Sequence, residues 1–239
     1  IDFKGRVTRP VRQITRGDGH FVALKDDGTV WAWGGNACGA LGNASNKDQK
    51  FPIGVFLPYD VIAVAAGDGF GVALRRDGSV WTWGRNDYGQ LGDEYCSESA
   101  RWVPSRNGIS RVTAIDAGRH HALALKDDGT VWAWGGNASG QLGNARTDQS
   151  ARPVMAVRLE GVIAIAAGHE HSLALRQDGT VWAWGDNQFG QLGDGTEISN
   201  PTPSQVVRLD GVKAIAAGED FSIALRDDGT VWAWGANYC

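Results

Sequence analysis

Four of the five histidines in this 239-residue chain crowd into two short stretches, Arg119-His120-His121 and His169-Glu170-His171. Imidazoles beside carboxylates can hold a divalent cation, relay a proton or orient a nucleophile, and spacing decides among these. His20, His121 and His171 recur at one position of an internal repeat, which assigns them to packing and hydrogen bonding within the fold. His120 and His169 are extra. Together with Glu170, Glu219, Asp220 and Asp68 they offer nitrogen and oxygen donors. No single loop carries ligands at a metal-site spacing, so solvated polar loops are expected and no metal is assigned. No Ser or Cys stands with a His in a special local sequence, and a hydrolase needs a nucleophile, a base and an orienting acid within reach. The Gly-rich GDG and GQLG turns precede no helix whose N-terminus could cradle phosphate. No catalytic residue and no cofactor is expected.

The elements that position these loops follow from a repeat. Two tryptophans one residue apart occur five times, the first of each pair at Trp31, Trp81, Trp132, Trp182 and Trp232. That period, 50 or 51 residues, points to a propeller or a solenoid. In one unit, Val162–Gly168, His171–Arg176 and Thr180–Gly185 read as strands, and Pro201–Leu209 as a fourth after a polar loop. Asp178-Gly179 between apolar runs is a strong hairpin signal, because such a turn needs positive φ. No helical period of useful length is present. Thr180, Trp182 and Trp184 face one way and Val181 and Ala183 the other, so both faces are apolar and both need cover. Radially packed blades supply that cover, with alanine-rich strands near the axis and tryptophans filling the wider gaps. The expected fold is all-β: a five-bladed β-propeller of four-stranded antiparallel blades, one domain over residues 1–239. The chain stops at a third strand, while Thr8–Val11 resembles a fourth. The N-terminal strand is therefore expected to complete the C-terminal blade and close the ring. The alternative is a fragment of a longer propeller, whose exposed edge associates. A monomer is expected, with open-chain association as its rival.

Gly168–Gly193 reads G-x-x-H-S-L-A-L-x-x-D-G-x-V-W-x-W-G-x-N-x-x-G-Q-L-G, with four counterparts along the chain. This phrase resembles the repeat of the regulator of chromosome condensation family and is also similar to the propeller-type β-lactamase inhibitor proteins. The resemblance implies a propeller, usually of seven blades, that presents loops for protein contact. Family members include a nucleotide exchange factor for a small GTPase, a plant ultraviolet sensor and bacterial β-lactamase inhibitors. Five units depart from that pattern. Blade number sets the radius and shape of a binding face, and a fold does not carry its function with it.

Positions that differ among the copies are the candidates for partner recognition. The loop after each inner strand varies: Asp18-Gly19, Asp68-Gly69, Arg119-His120, His169-Glu170 and Glu219-Asp220. These pairs should ring one mouth of the central channel. A second variable set follows a repeated Asn, itself read as a turn residue tolerating positive φ. There Tyr88, Phe189 and Tyr238 are rigid aromatics of the kind that anchor interfaces, or else cover neighbouring loops. Trp102, the one tryptophan outside the pairs, is a loop plug or an interface residue.

These residues make another protein the expected partner of a non-catalytic scaffold. Two rivals are a small-ligand or sugar-binding propeller and a repeat-amplified or engineered propeller with no evolved partner. A net charge of -4 with interspersed signs gives no basic stripe, so nucleic acid is not expected. No apolar run reaches a membrane span and no segment resembles a signal peptide, so a soluble domain is expected, its compartment open. Three cysteines form no disulfide framework.

Overall fold

A computed structural model describes residues 9–93 and 100–237. The repeats fold as five antiparallel sheets. The first holds β1 (Val11–Arg16), β2 (His20–Lys25), β3 (Val30–Gly34) and β4 (Gln49–Gly54); the second holds β5 (Val61–Ala66), β6 (Phe70–Arg75), β7 (Val80–Gly84) and β8 (Arg101–Arg106). The third contains β9 (Val112–Ala117), β10 (His121–Lys126), β11 (Val131–Gly135) and β12 (Ser150–Met155). The fourth contains β13 (Val162–Ala167), β14 (His171–Arg176), β15 (Val181–Gly185) and β16 (Asn200–Gln205). The fifth has β17 (Val212–Ala217), β18 (Phe221–Arg226) and β19 (Val231–Gly235), three strands among the described residues. Strands pair in chain order throughout, so every connection within a sheet is local.

The β14–β15 hairpin shows how Asp-Gly works here. Gly179 alone takes positive φ, at 78°. Its N–H donates to the Arg176 carbonyl at 3.0 Å, while Arg176 N–H donates to the Thr180 carbonyl at 2.9 Å. Asp178 acts through its side chain: Oδ1 accepts the Thr180 N–H at 3.0 Å and the Thr180 hydroxyl at 2.5 Å. The expectation of positive φ therefore holds for the glycine only, and the aspartate locks the turn as a local acceptor.

Four apolar clusters form the core, each at the seam between consecutive sheets. One sheet contributes Val and Leu, as Leu173, Leu175 and Val181 do. The next contributes its inner strand and a tryptophan, as Val212, Ile215 and Trp234 do. Trp83, Trp134 and Trp184 are fully buried in these seams. Their indole N–H groups donate across the seam to the carbonyls of Ala40, Gln90 and Gln141 at 2.8, 2.9 and 2.8 Å. Glycine makes the approach possible. A Cβ on Gly143, at φ 69°, would lie 2.7 Å from Trp184 Nε1. The first tryptophan of four of the pairs stays nearer the surface beneath a cation, with Lys25 Nζ 3.9 Å from the Trp31 ring centre.

Val11 opens β1 and pairs with Lys25, so it belongs to the inner strand of the first sheet and not to an outer strand of the fifth. Thr8 lies outside the described residues. Val11 is 50% exposed where Val61 is 3%, and Val231 is 67% exposed where Val181 is fully buried. Among the described residues no core cluster joins the first and last sheets.

Two side chains staple neighbouring inner strands together. Gln13 bridges to Val64, donating to its carbonyl at 2.8 Å and accepting its N–H at 3.1 Å. Asp116 accepts the N–H groups of Ala117 and Ala167, both at 2.9 Å. Burial raises the Asp116 carboxyl to about 6, against the pull of those two donors. A carboxyl raised in the folded state stabilises fully below the unfolded value of 3.8, and that contribution is lost as pH rises through about 6. Asp116→Ala copies Ala65, Ala166 and Ala216 of the other inner strands. From pH 4 to 7.5 its unfolding free energy should shift in its favour, relative to the parent, by about 2–3 kcal/mol. Urea titrations at the two pH values measure the gap; an unchanged gap refutes the assignment.

Candidate functional site

The loops that follow the inner strands converge on the mouth of one cavity lined by all five repeats, and main-chain bonds link those of the second to fifth repeats. Asp68 N–H donates to the Arg119 carbonyl at 2.9 Å, Arg119 N–H to His169 at 3.0 Å and His169 N–H to Glu219 at 3.0 Å. The belt runs from sheet to sheet and leaves every side chain free to vary. Within the mouth, a cavity of about 360 Å³, lie Arg16, Asp18, Asp68, Arg119, His169 and Glu219. Glu219 Oε1 stands 3.4 Å from Arg16 Nη2 and 3.6 Å from His169 Nε2. Asp68 Oδ2 lies 2.6 Å from Arg85 Nη1 and 3.3 Å from His120 Nε2. These carboxylates face cations and imidazoles of the chain itself, and the described residues contain no group of three or more His, Cys, Asp or Glu placed to hold a metal ion.

Beside the mouth a second cavity, of about 390 Å³, opens between the second, third and fourth repeats. Tyr88, Arg119, His120 and Glu170 line it, so four of the sequence candidates meet in one groove. The Tyr88 and His120 rings pack at 4.5 Å. Burial lowers the His120 pKa, although Asp68 pulls the other way, so the imidazole is a neutral wall at physiological pH. Glu170 Oε2 accepts the Ser139 hydroxyl at 2.8 Å. Arg119 is exposed and its guanidinium has no hydrogen-bond or ion-pair partner among the described residues.

The remaining candidates are dispersed. Phe189 is exposed on the loop of the fourth repeat that matches Tyr88 in the second. Asp220 lies at the fifth-repeat loop, its carbonyl accepting Ala236 N–H at 2.9 Å. Tyr238 falls outside the described residues. Trp102 is partly exposed at the start of β8 and spans to the first repeat: its carbonyl accepts Ala44 N–H at 2.9 Å, and a Cβ on Gly39 would lie 2.4 Å from its ring. It therefore packs on the first-repeat loop while remaining 42% exposed.

The repeated Asn is not a positive-φ turn residue. Asn36, Asn137 and Asn187 are buried amides that tie their whole loops together. In Asn187, Oδ1 accepts Leu192 N–H at 2.9 Å while Nδ2 reaches Asp194, Thr196 and Ile198. An amide with both donors and acceptors organises a loop that a backbone turn alone could not. All three imidazoles at the repeat position are buried, but only two are hydrogen-bonded through a ring nitrogen: both nitrogens of His20 lack a partner among the described residues. His121 and His171 are buried, with Nε2 3.0 Å from the Ser172 and Ser222 hydroxyls, and burial lowers them to about 3 and about 4. Sequence reasoning missed Gly136, Gln141, Thr147 and Gln149, which also line the groove. Gln141 was hidden by its repetition at Gln90 and Gln191. A usable signal was the residue after each Trp-Gly, which runs Gly35, Arg85, Gly136, Asp186, Ala236.

A family profile described as the RCC1-like domain matches residues 2–239. The human E3 ubiquitin-protein ligase HERC2 is 34% identical over 150 residues, covering 61% of this chain and 3% of that protein. Protein pim1 of Schizosaccharomyces pombe is 31% identical over 155 residues, covering 64% of this chain and 21% of that protein. The chain thus matches only a small part of these relatives. Among solved structures, yeast RCC1 (Prp20) bound to Kap60 superposes with a TM-score of 0.84 at 27% identity, covering 95% of this chain and 56% of that one. Human WBSCR16 gives 0.87 at 25% identity, covering 96% and 63%. A further structure of Prp20p, from Saccharomyces cerevisiae and described with its binding to Gsp1p and histones, gives 0.83 at 27% identity, covering 95% and 58%.

Proposed function

Because the chain belongs to the RCC1-like domain family, matched over residues 2–239, we propose that it is a non-catalytic protein-interaction scaffold. Its five sheets act as the blades of one propeller domain, and the face around the channel mouth engages another protein. The convergence of Tyr88, Arg119, His120 and Glu170 in one groove beside that mouth carries the reading. A rigid aromatic and an unpaired arginine, framed by polar loops, are what an interface anchor needs. Phe189 extends the surface to the next repeat. The structural neighbours add support, since Prp20 is described with protein partners. The ligase activity of HERC2 is no part of the proposal, because the match spans 3% of that protein. For a sugar-binding propeller, Trp83, Trp134 and Trp184 offer no stacking face because they are sealed in the seams, and the rings of Trp31, Trp132, Trp182 and Trp232 are already covered by a cation of the chain.

Pull-down from source lysate with the parent and with Tyr88→Ala/Arg119→Ala tests the proposal. A protein retained by the parent should bind the double variant at least about 30-fold more weakly, the loss expected of two anchor residues. Equal capture by both chains, or capture of glycans in place of any protein, overturns it.

A further inference from the structure

We propose that the groove of the third repeat is a carboxylate-accepting site, built to seat an aspartate or glutamate side chain of the partner. The inference rests on the protein-binding reading for its occupant, and on the groove's own donors for its chemistry.

The neighbouring repeats show what those donors take. In the fourth repeat Asp186 Oδ2 accepts the Gln191 Nε2 amide at 2.8 Å, and its Oδ1 accepts the Ser199 hydroxyl at 3.1 Å. Ser199 Oγ in turn accepts the Asn187 N–H at 3.2 Å. In the first repeat the Asn36 N–H donates directly to Asp48 Oδ1 at 2.8 Å. Each time, a carboxylate of the chain satisfies this corner of the loop. The third repeat has the donors and lacks the carboxylate. Gly136 stands where Asp186 does, and Gln149 where Asp48 and Ser199 do. Gln141 is only 2% exposed, and its Nε2 has no partner among the described residues; neither has the Asn137 N–H. Gln141 Nε2 is not sealed in the core but opens onto the cavity, and a donor placed there without an acceptor among the described residues is free to take one from outside.

Arg119 supplies the charge. This residue, whose guanidinium has no partner among the described residues, lines the same cavity, and a charge-assisted bond from it would select an anion over a neutral amide. The Tyr88–His120 pair forms one wall. Glu170, also in the lining, is held by the Ser139 hydroxyl at 2.8 Å. The second repeat has the matching amide, Gln90 Nε2, also without a partner among the described residues, but there it is sealed from solvent, and Arg85 takes the Gly136 position, bound to Asp68 and Asp87 at 2.6 and 2.7 Å.

The test is an NMR titration of the labelled chain with acetate, acetamide and a blocked aspartate dipeptide at constant ionic strength. The Gln141 side-chain amide and the Asn137 N–H should shift saturably with both carboxylates, and acetamide should bind at least about tenfold more weakly. Arg119→Ala should weaken the carboxylates by a similar factor. Gly136→Asp restores the carboxylate that Asp186 provides and should abolish the response. If that variant does not fold, Gln141→Leu must abolish the Gln141 signal and weaken the Asn137 response. Non-saturating shifts, shifts spread over other arginines, an equal response to acetamide, or a response that survives these substitutions would overturn the site. Failure of the protein-binding reading looks different: saturable carboxylate binding with no protein whose capture depends on Tyr88 and Arg119.

Discussion

Replacing Trp184 with alanine lowers the unfolding free energy by about 3–5 kcal/mol, the range for a buried tryptophan whose cavity cannot collapse. The side chain is fully buried between the third and fourth sheets, against Leu142, Ala133 and Leu123. Its indole N–H is tied to the Gln141 carbonyl at 2.8 Å. Collapse is opposed because the facing loop is itself pinned, Gly143 N–H donating to the Gly140 carbonyl at 3.0 Å. Trp184→Phe keeps most of the packing, and the Gln141 carbonyl keeps the Ser172 hydroxyl at 2.9 Å. It should cost about 1–2 kcal/mol. Trp232, exposed on the last sheet, is the internal control and should cost less than about 1 kcal/mol on truncation. Urea unfolding measures all three, and a Trp184→Ala loss no larger than that of Trp232→Ala would show that the seams do not hold the sheets together.

The second large effect is an acid transition set by His121 and His171. Both imidazoles are buried, and Nδ1 of each has no hydrogen-bond partner. Burial lowers their pKa from 6.5 to about 3 and about 4, with the nearby His171 as a smaller contribution to His121. A histidine whose folded pKa is depressed contributes fully above the unfolded value and loses that contribution as pH falls below it. Each should lose about 1.4 kcal/mol per pH unit below 6.5, so the pair loses on the order of 5 kcal/mol by pH 4.5. The sign opposes that of Asp116, and the larger shift wins. His121→Phe/His171→Phe copies Phe70 and Phe221, which hold the same repeat position. Ser172 and Ser222 keep their bonds to the Gln141 and Gln191 carbonyls at 2.9 and 2.8 Å, so phenylalanine strands no donor. Asp116 and His20 titrate in both chains, so the comparison is the gap between them: the urea midpoint of the double variant should rise relative to that of the parent as pH falls from 7 to 4.5, and parallel curves would assign the acid transition elsewhere.

The fold was legible because the repeat averages out local ambiguity. Alternation in Val181–Gly185, read five times over, leaves little choice but a sheet covered on both faces. The seams could also be inferred, since two tryptophans on one face demand a partner surface. The loops were harder. Asn187 repeats as a turn residue would, yet its function depends on three contacts further along the chain that no local pattern encodes. The groove was half legible: Tyr88, Arg119, His120 and Glu170 stood out by varying. Gln141 was concealed by being repeated at Gln90 and Gln191, since its meaning comes from the missing carboxylate at Gly136. The ends depended on pairing partners, and Val11 went to the inner strand because its match to Val61 and Val212 is set by register with the next strand.

The belt at the cavity mouth has an evolutionary consequence. Asp68, Arg119 and His169 reach the next repeat through peptide N–H groups, which every residue except proline possesses. Mutation at these sites can therefore rewrite the outward message without loosening the architecture beneath it. A lineage built this way can explore new partners at little structural risk, and proline is the one residue the belt should refuse.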